Sequence, residues 1–217
     1  MSFLSLTLGV GHLSGAESGG FKPSSKTETE KVLARDDFTC RFCGFRSTQY
    51  QRVVPFEGSS VTVCTFCEQV LFLERAGIMG SGVLIWLPEI TQAELNHITR
   101  AIYIARADES SELAAAANRA LDALMARRTD AKKRLGSDDP LLLTSVLQEH
   151  LTDKERKDAV GKLDGIRLLP LDKHIVRQHG HDTDVFPRIV GFWRSEHGPF
   201  AALPTSDWNK LFAKIVA

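Results

Sequence analysis

The chain has 217 residues, of which 43% are apolar; this is enough for the core of an ordinary domain and excludes disorder of the whole chain. The 27 Lys and Arg residues balance the 27 Asp and Glu residues, which argues against a large basic surface for nucleic acid. No apolar run approaches the roughly 18 residues that a membrane helix needs, and the apolar start lacks the basic flank of a secretory signal. We therefore expect a cytosolic protein, in which thiols stay reduced.

The first part of the chain is predicted to alternate short elements with loops. Residues 1–13 alternate apolar and small side chains, which predicts a short β segment, and the Gly- and Ser-rich residues 14–25 predict a loop. A helix is predicted over 27–37. Another is predicted to begin near Cys67 and to end near Gly77. It is followed by β-prone residues at 83–87.

The second part is predicted to be mainly helical. Thr91 and Glu94 form a capping-box signature, as do Thr152 and Glu155. After the first box, one helical face carries the apolar residues Leu95, Ile98, Ile102 and Ala105. Further helices are predicted over 111–135, 140–150 and 152–163.

The end of the chain is rich in aromatic side chains, which predicts either a cover for the core or a docking surface. These residues are Phe186, Phe192, Trp193, Phe200, Trp208 and Phe212.

All four cysteines fall into two Cys-x-x-Cys pairs, Cys40 with Cys43 and Cys64 with Cys67, separated by 20 residues. Two cysteines three positions apart in a tight turn can aim both sulfurs at one point, and two such turns complete the tetrahedron that Zn²⁺ accepts. The alternatives are two disulfides, which the reduced cytosol disfavours, or four unrelated buried thiols. We predict one structural Zn²⁺ ion on these four cysteines, with no open coordination position for catalysis.

Two such pairs flanking a short β segment, with a helix continuing from the second pair, resemble the zinc-stabilised form of the HNH nuclease fold, a ββα-metal unit. In that family a His on the strand after the first pair is the general base, and an Asn and another His follow around the second pair. Here the strand reads YQRVVP over 50–55, so that Gln51 or a neighbour replaces the His, and no His occurs between His12 and His97. Gln cannot accept a proton from water, so the resemblance implies the nuclease framework without its catalytic residues.

A narrower resemblance rests on three longer strings: RDDFTCRFCGF over 35–45, VCTFC over 63–67 and GVLIWLPEITQAELN over 82–96. These resemble the IcmJ/DotN family of type IVB secretion systems, and IRLLP over 166–170 is similar to a later stretch of that family. The resemblance implies a catalytically silent zinc subunit of the coupling complex, in the cytoplasm at the inner membrane. It also implies binding to the cytoplasmic C-terminal tail of the coupling ATPase, DotL, beside the adaptors IcmS and IcmW.

Together these patterns predict an α+β fold, in which a small HNH-like ββα unit is organised by a four-cysteine zinc site and extended by several α-helices. We expect an N-terminal β segment and loop over 1–26 and a zinc-binding module over 27–90. A helical region over 91–170 and an aromatic-rich segment over 171–217 are expected to complete one compact domain.

Two functions of other classes stay open on the sequence alone. An active HNH-type endonuclease would need a base from elsewhere in the chain, such as His97 or His150. A zinc-structured module that binds nucleic acid would need cations, and residues 127–134 carry five of them, although cations at a helix end also complement its dipole. A second metal site among the His and Asp residues of 174–184 is disfavoured, because Gly180 favours a solvated loop.

Overall fold

The computed structural model describes residues 3–9, 25–178 and 180–208. Its helices are α1 (Lys26–Arg35), α2 (Thr65–Leu71), α3 (Leu73–Ile78), α4 (Gln92–Arg106), α5 (Ser111–Ala126), α6 (Arg128–Leu135), α7 (Pro140–His150), α8 (Asp153–Gly161) and α9 (Phe186–Arg194). Its strands are β1 (Gln51–Phe56), β2 (Ser59–Cys64), β3 (Gly82–Trp86), β4 (Ile166–Pro170), β5 (Ile175–Gln178) and β6 (His181–Asp184). They form three two-stranded antiparallel sheets, β1–β2, β3–β4 and β5–β6, so this is a mixed fold of helices and small sheets.

The β1–β2 hairpin positions the second cysteine pair. Its turn residues Glu57 and Gly58 have φ values of 48° and 78°, and two successive residues in this left-handed region suit the twist of a two-residue hairpin turn. β2 ends at Cys64 and α2 begins at the next residue, so Cys64 and Cys67 straddle a junction between strand and helix. The order β1–β2–α2 is that of the expected ββα unit, whose HNH-like character stays a prediction.

A turn closed by backbone hydrogen bonds positions the first cysteine pair. The amide of Cys40 donates to the carbonyl of Phe45 at 2.9 Å, and the amide of Gly44 donates to the carbonyl of Cys40 at 2.9 Å. Gly44 has a φ of 75°, and a Cβ there would lie 2.9 Å from the Phe3 ring. The positive φ therefore favours a glycine directly after Cys43.

The sheet β3–β4 fixes the start of α4. Gly82 pairs with Pro170 at one end and Trp86 with Ile166 at the other. The side-chain amide of Gln92 donates to the carbonyl of Leu168 and accepts from its amide, both at 2.8 Å. Because Gln92 makes both bonds that a third strand would make to this residue, it anchors the first turn of α4 on β4.

Helix α9 closes the core over the cysteine pairs. Phe66 of α2 stacks on Phe186 with ring centroids 6.2 Å apart and meets Trp193 edge-on at 5.6 Å. Phe186 and Trp193 are buried, and partly buried side chains packed on the same cluster are Phe192, Phe200 and Trp208. The described aromatic residues of this segment thus cover the core; Phe212 lies outside the described residues.

Most predicted elements are confirmed. The helices expected over 27–37 and 140–150 are α1 and α7, and the β-prone residues 83–87 lie in β3 and just beyond it. In the first capping box, Thr91 Oγ1 accepts from the amide of Glu94, whose carboxylate accepts from the amide of Thr91. No described helix is long and apolar enough to cross a lipid bilayer.

The β segment predicted over 1–13 is not formed by residues 3–9. These residues are held instead by single backbone bonds to two different elements, from the amide of Leu4 to the carbonyl of Arg41 and from the amide of Gly9 to the carbonyl of Val70, both at 2.8 Å. Two isolated hydrogen bonds five residues apart, to different partners, do not form the regular ladder of a β-strand. Residues 10–24, which include almost all of the predicted loop, lie outside the described residues.

Two predicted helices are divided. The helix over 111–135 breaks at Arg127, whose amide donates to the carbonyl of Leu124 in a tighter turn. The carbonyl of Arg127 accepts from the amide of Ala131 and also from the amide of Trp86 at the end of β3. The helix after Cys67 is interrupted at Phe72, which has a φ of −118° and a ψ of 61°. Neither break is marked by Gly or Pro in the sequence.

The helical region predicted over 91–170 is wrong at its end, where 166–170 form β4. The partner strand lies about 80 positions earlier, so the pairing could not be found from local sequence. Residues 174–184 are likewise no loop but mostly the hairpin β5–β6, with Gly180 at a φ of 84° in its turn. Ile98, predicted to lie on the apolar face of α4, is 43% exposed.

The expected division of the chain at residues 26, 90 and 170 stays a prediction.

A buried carboxylate ties α1 to the hairpin. Asp36 is fully buried; its oxygens accept two bonds from Arg35 at 2.9 and 3.0 Å and one from the amide of Thr62 at 2.9 Å. Burial by itself would raise the pKa of Asp36, but the hydrogen bonds from Arg35 and Thr62 lower that pKa below its ordinary value.

We expect Asp36→Asn to lower the free energy of unfolding by about 1.5–3 kcal/mol at pH 7, because it weakens hydrogen bonds to a charged group. Since the folded state lowers the pKa of Asp36, its contribution is present above the unfolded pKa of about 3.9 and is lost as the pH falls through the folded pKa. The difference between wild type and variant should therefore shrink below about pH 4. Urea unfolding at several pH values measures it.

Asp37→Asn is the matched control, because Asp37 is 69% exposed and pairs with Arg46 at the surface. We expect a much smaller change. An equal loss of stability in both variants would contradict the special role of Asp36.

Candidate metal centre

The structure brings the four cysteines together. Their Sγ atoms all lie within 4.8 Å of one another, and those of Cys43 and Cys64 are 3.7 Å apart. Four sulfurs around Zn²⁺ at a Zn–S distance of about 2.3 Å form a tetrahedron with edges of about 3.8 Å. All four thiols are free and form one cluster, so neither two disulfides nor four unrelated thiols fits. The cluster could hold a metal ion.

The cluster is enclosed by the protein. Cys40, Cys64 and Cys67 are at most 1% exposed and belong to the core that Phe66 and Trp193 help to form. An ion with four sulfur ligands in this position has no open coordination site. Closed sites of four sulfurs are typical of structural metal centres.

Burial makes negative charge costly at this site. It raises the pKa of the Cys64 and Cys67 thiols, because a low-dielectric environment disfavours the thiolate. Hydrogen bonds from the other three thiols lower the pKa of Cys43, which is the most exposed of the four. Four thiolates at this site therefore need compensating positive charge.

Helix α4 supplies hydrogen-bond donors to the sulfurs. Gln92, Asn96 and Arg100 follow one another at intervals of four residues, and all three are buried. Asn96 Nδ2 donates to Cys67 Sγ at 3.3 Å, and Arg100 Nη2 donates to Cys64 Sγ at 3.4 Å. Gln92 Nε2 donates to Asn96 Oδ1 at 3.0 Å and so orients that amide. Side chains that hydrogen-bond to metal-binding residues in this way orient those residues and tune their charge.

These three residues were not predicted as functional from the sequence. The periodicity predicted only an apolar face of α4 that includes Leu95 and Ile102, and both are buried. The available signal was the spacing of Gln92, Asn96 and Arg100, since three polar residues one turn apart mark a second face. Only the folded chain shows that this face points at the cysteines.

His97 is held in one tautomer. Arg100 Nη1 lies 3.2 Å from His97 Nδ1, and His97 Nε2 lies 2.7 Å from the carbonyl oxygen of Cys43. Arginine can only donate, so Nδ1 accepts and the proton resides on Nε2, which donates to the carbonyl. Both ring nitrogens are thereby engaged in hydrogen bonds, and the bonds to Cys43 raise the pKa of His97.

Among the described residues, the four cysteines are the group of side chains that could hold a metal ion, and the predicted region 174–184 forms no second one. His174 is buried, and its pKa is lowered by that burial. The carboxylate of Asp184 accepts from the amides of His174 and Phe186 at 2.9 and 3.0 Å, which is a structural role. His179 lies outside the described residues.

The five cations of 127–134 have partners within the chain. Arg127 pairs with Glu89, Arg128 and Lys132 with Asp138, Lys133 with Asp130, and the Arg134 guanidinium lies 3.7 Å from the centre of the Trp86 ring. Acidic groups that lie among cations reduce the potential that a phosphate backbone would feel. These contacts favour a structural role for the cluster.

Comparison with known proteins agrees with the earlier resemblance. No family model matches the chain. The chain is 32% identical over 158 residues to the type 4 apparatus protein DotN of Legionella pneumophila, an alignment that covers 67% of this chain and 72% of that protein. The chain therefore belongs to the DotN (IcmJ) family.

Proposed function

We propose that this chain is a non-catalytic, zinc-stabilised subunit of a type IVB secretion apparatus. The observation that carries the proposal is the 32% identity to a type 4 apparatus protein over 158 residues. The enclosed four-cysteine cluster supports it, because such a centre serves to hold a fold together.

Zinc is the ion that best suits the cluster. Four sulfur ligands in a tetrahedral arrangement are typical of Zn²⁺ or of iron–sulfur chemistry, and closed Cys₄ sites in small modules are commonly structural zinc sites. We assign Cys40, Cys43, Cys64 and Cys67 as the ligands of one Zn²⁺. When bound, the ion cross-links the first cysteine turn to the β2–α2 junction.

We expect the purified protein to contain one equivalent of zinc and to lose its cooperative unfolding transition when a strong chelator removes the metal. Apparent zinc binding of about 10–16 kcal/mol in small zinc peptides equals or exceeds the net stability of most domains. Elemental analysis and circular dichroism during chelation measure both quantities. Cys64→Ser should behave like the chelated protein.

Ser59→Ala is the matched control, since Ser59 lies on the same strand but is exposed. It should keep the zinc and the transition of the wild type. A metal-free protein with native circular dichroism and an unchanged melting temperature would remove the zinc assignment.

We propose further that β1, β2 and α2 form an HNH-like ββα unit whose catalytic residues are absent. On the strand after the first pair, the side-chain amide of Gln51 donates to the carbonyls of Phe38 and Phe45 at 2.9 and 2.8 Å, and so holds the first turn in place. The next residue, Arg52, pairs at 3.4 Å with Glu68, the residue directly after Cys67.

Glu68 also pairs with Arg75 at 3.4 Å, so its carboxylate lies between two guanidinium groups. A catalytic metal would have to compete with both cations for this carboxylate. Where the nuclease family carries its histidines, this chain thus has an amide engaged in structural bonds and an ion-pair network. The Gln51 amide cannot accept a proton from water, and the Glu68 carboxylate is already held by two guanidinium groups.

We expect no Mg²⁺- or Mn²⁺-dependent nicking of supercoiled plasmid by the zinc-loaded protein, even at high protein concentration. Both ring nitrogens of His97 are engaged in hydrogen bonds, and His150 is an exposed residue at the end of α7. Gel assays with and without the divalent ions make the measurement. Nicking that requires the ion and disappears in His97→Ala or His150→Ala would overturn the non-catalytic assignment.

The partner that we propose is the cytoplasmic C-terminal tail of the coupling ATPase, in an assembly that also contains adaptors of the IcmS and IcmW kind. This follows from family membership and not from an identified contact surface. It implies a location at the cytoplasmic face of the inner membrane, reached through partners. Nucleic acid is not expected as a partner, because charges balance over the whole chain and the cations of 127–134 are paired.

We expect the wild-type chain to elute from a sizing column as a defined complex with the cytoplasmic C-terminal segment of the coupling ATPase from the same genome. Ser59→Ala should bind equally, whereas Cys64→Ser should not, because it lacks the folded surface. Light scattering gives the stoichiometry of the complex. Failure of the folded, zinc-loaded wild type to bind would refute the proposed partner.

A further inference from the structure

Arg100 is a cation in the interior without a carboxylate partner among the described residues. Its side chain is fully buried in the middle of α4. Removing a guanidinium group from water costs several kcal/mol unless an opposite charge and hydrogen bonds compensate for it. Among the ion pairs formed within residues 3–9, 25–178 and 180–208, none involves Arg100, so the compensating charge must come from another group.

The neighbours of the guanidinium limit the choice. Its central carbon lies 3.7 Å from the centre of the Phe45 ring, 5.3 Å from that of Phe66 and 5.4 Å from that of Trp193. Aromatic faces attract a cation by about 0.5–2 kcal/mol each, but they supply no opposite charge. The His97 ring lies 3.2 Å from one guanidinium nitrogen but supplies no negative charge.

The remaining neighbour is the Sγ atom of Cys64, 3.4 Å from Nη2. Four thiolates and one Zn²⁺ have a formal charge of −2, and this charge is buried with the sulfurs. We propose that Arg100 is the counter-cation of the four-cysteine centre: its guanidinium offsets part of the thiolate charge while His97 and the aromatic side chains hold it in place. This inference rests on the zinc assignment above.

The contacts involve both terminal nitrogens and one face of the guanidinium group, whereas Nε has no hydrogen-bond partner among the described residues. One nitrogen donates to a sulfur, another donates to His97 Nδ1, and the flat face lies against Phe45. Lysine can supply the charge but not the fork or the flat face. Methionine is similarly long and unbranched but supplies neither charge nor donor. Comparison of these two substitutions therefore separates charge from packing.

The test measures zinc affinity by competition with a chromophoric chelator in wild type, Arg100→Lys, Arg100→Met and Arg106→Met. We expect Arg100→Met to bind zinc about 10–100-fold more weakly, the usual effect of losing an outer-shell partner. Arg100→Lys should stay near the wild-type affinity because it keeps the charge. Arg106, on the same helix but paired with Asp172 at the surface, is the control and should show no effect.

Cobalt substitution adds a readout that packing alone would not move. A nearby cation stabilises the sulfur lone pairs, so its loss should shift the thiolate-to-Co²⁺ charge-transfer absorption to longer wavelength. We expect this shift in Arg100→Met and not in Arg106→Met. An unchanged band would overturn the inference even if the affinity fell.

The other outcomes are equally decisive. If the wild type contains no zinc, the zinc assignment and this inference both fail. If the wild type contains zinc and Arg100→Met binds it equally tightly, the inference alone is overturned. The same holds if Arg100→Lys and Arg100→Met lower the zinc affinity equally. If Arg100→Met does not fold at any zinc concentration, Arg100→Lys decides. Near-wild-type affinity in that variant supports the charge role, and weak binding or failure to fold overturns it.

Discussion

Four sulfur atoms within 4.8 Å of one another, enclosed by aromatic and branched side chains, make negative charge the quantity that this fold has to balance. The low dielectric that makes thiolates costly also strengthens every donor aimed at them. The hairpin and α2 bring the sulfurs together, α4 supplies Asn96 and Arg100, and α9 supplies Trp193 as cover. Elements far apart in the sequence thus converge on one site, so core packing and the integrity of the centre depend on each other.

Features that depend on neighbouring residues were predictable. The two cysteine pairs gave the complete cluster, because three-residue spacing places both sulfurs of a pair on one side of a turn. The first capping box located the start of α4, since Thr91 and Glu94 satisfy each other's backbone groups without help from the rest of the fold. Family resemblance was also readable, because it rests on contiguous strings around the cysteines and before α4.

Features that depend on residues far apart in the sequence were not predictable. The strand at 166–170 exists because β3 pairs with it, and the bond from the amide of Trp86 to the carbonyl of Arg127 likewise joins two distant elements. The role of Arg100 was hidden for the same reason: a basic residue at one helical position is ordinarily a solvated one. Its burial, with sulfur as the acceptor, follows only from how α4 lies across the centre, and Gln92 fixes that placement at β4.

This mutual dependence supports the proposal of an HNH-like unit that keeps a metal centre without catalysis. Replacing a cysteine leaves Arg100 as a buried cation with less counter-charge, and replacing Arg100 leaves the thiolates with more uncompensated charge. Breaking one partner of a buried charged pair commonly costs about 3–5 kcal/mol, although replacing the whole set with apolar residues can be neutral. Conversion of this site into a metal-free apolar core therefore requires several substitutions at the same time. In the proposed HNH-like unit a catalytic residue has no such restraint, because an ion pair such as Arg52 with Glu68 can occupy its place without disturbing the sulfurs.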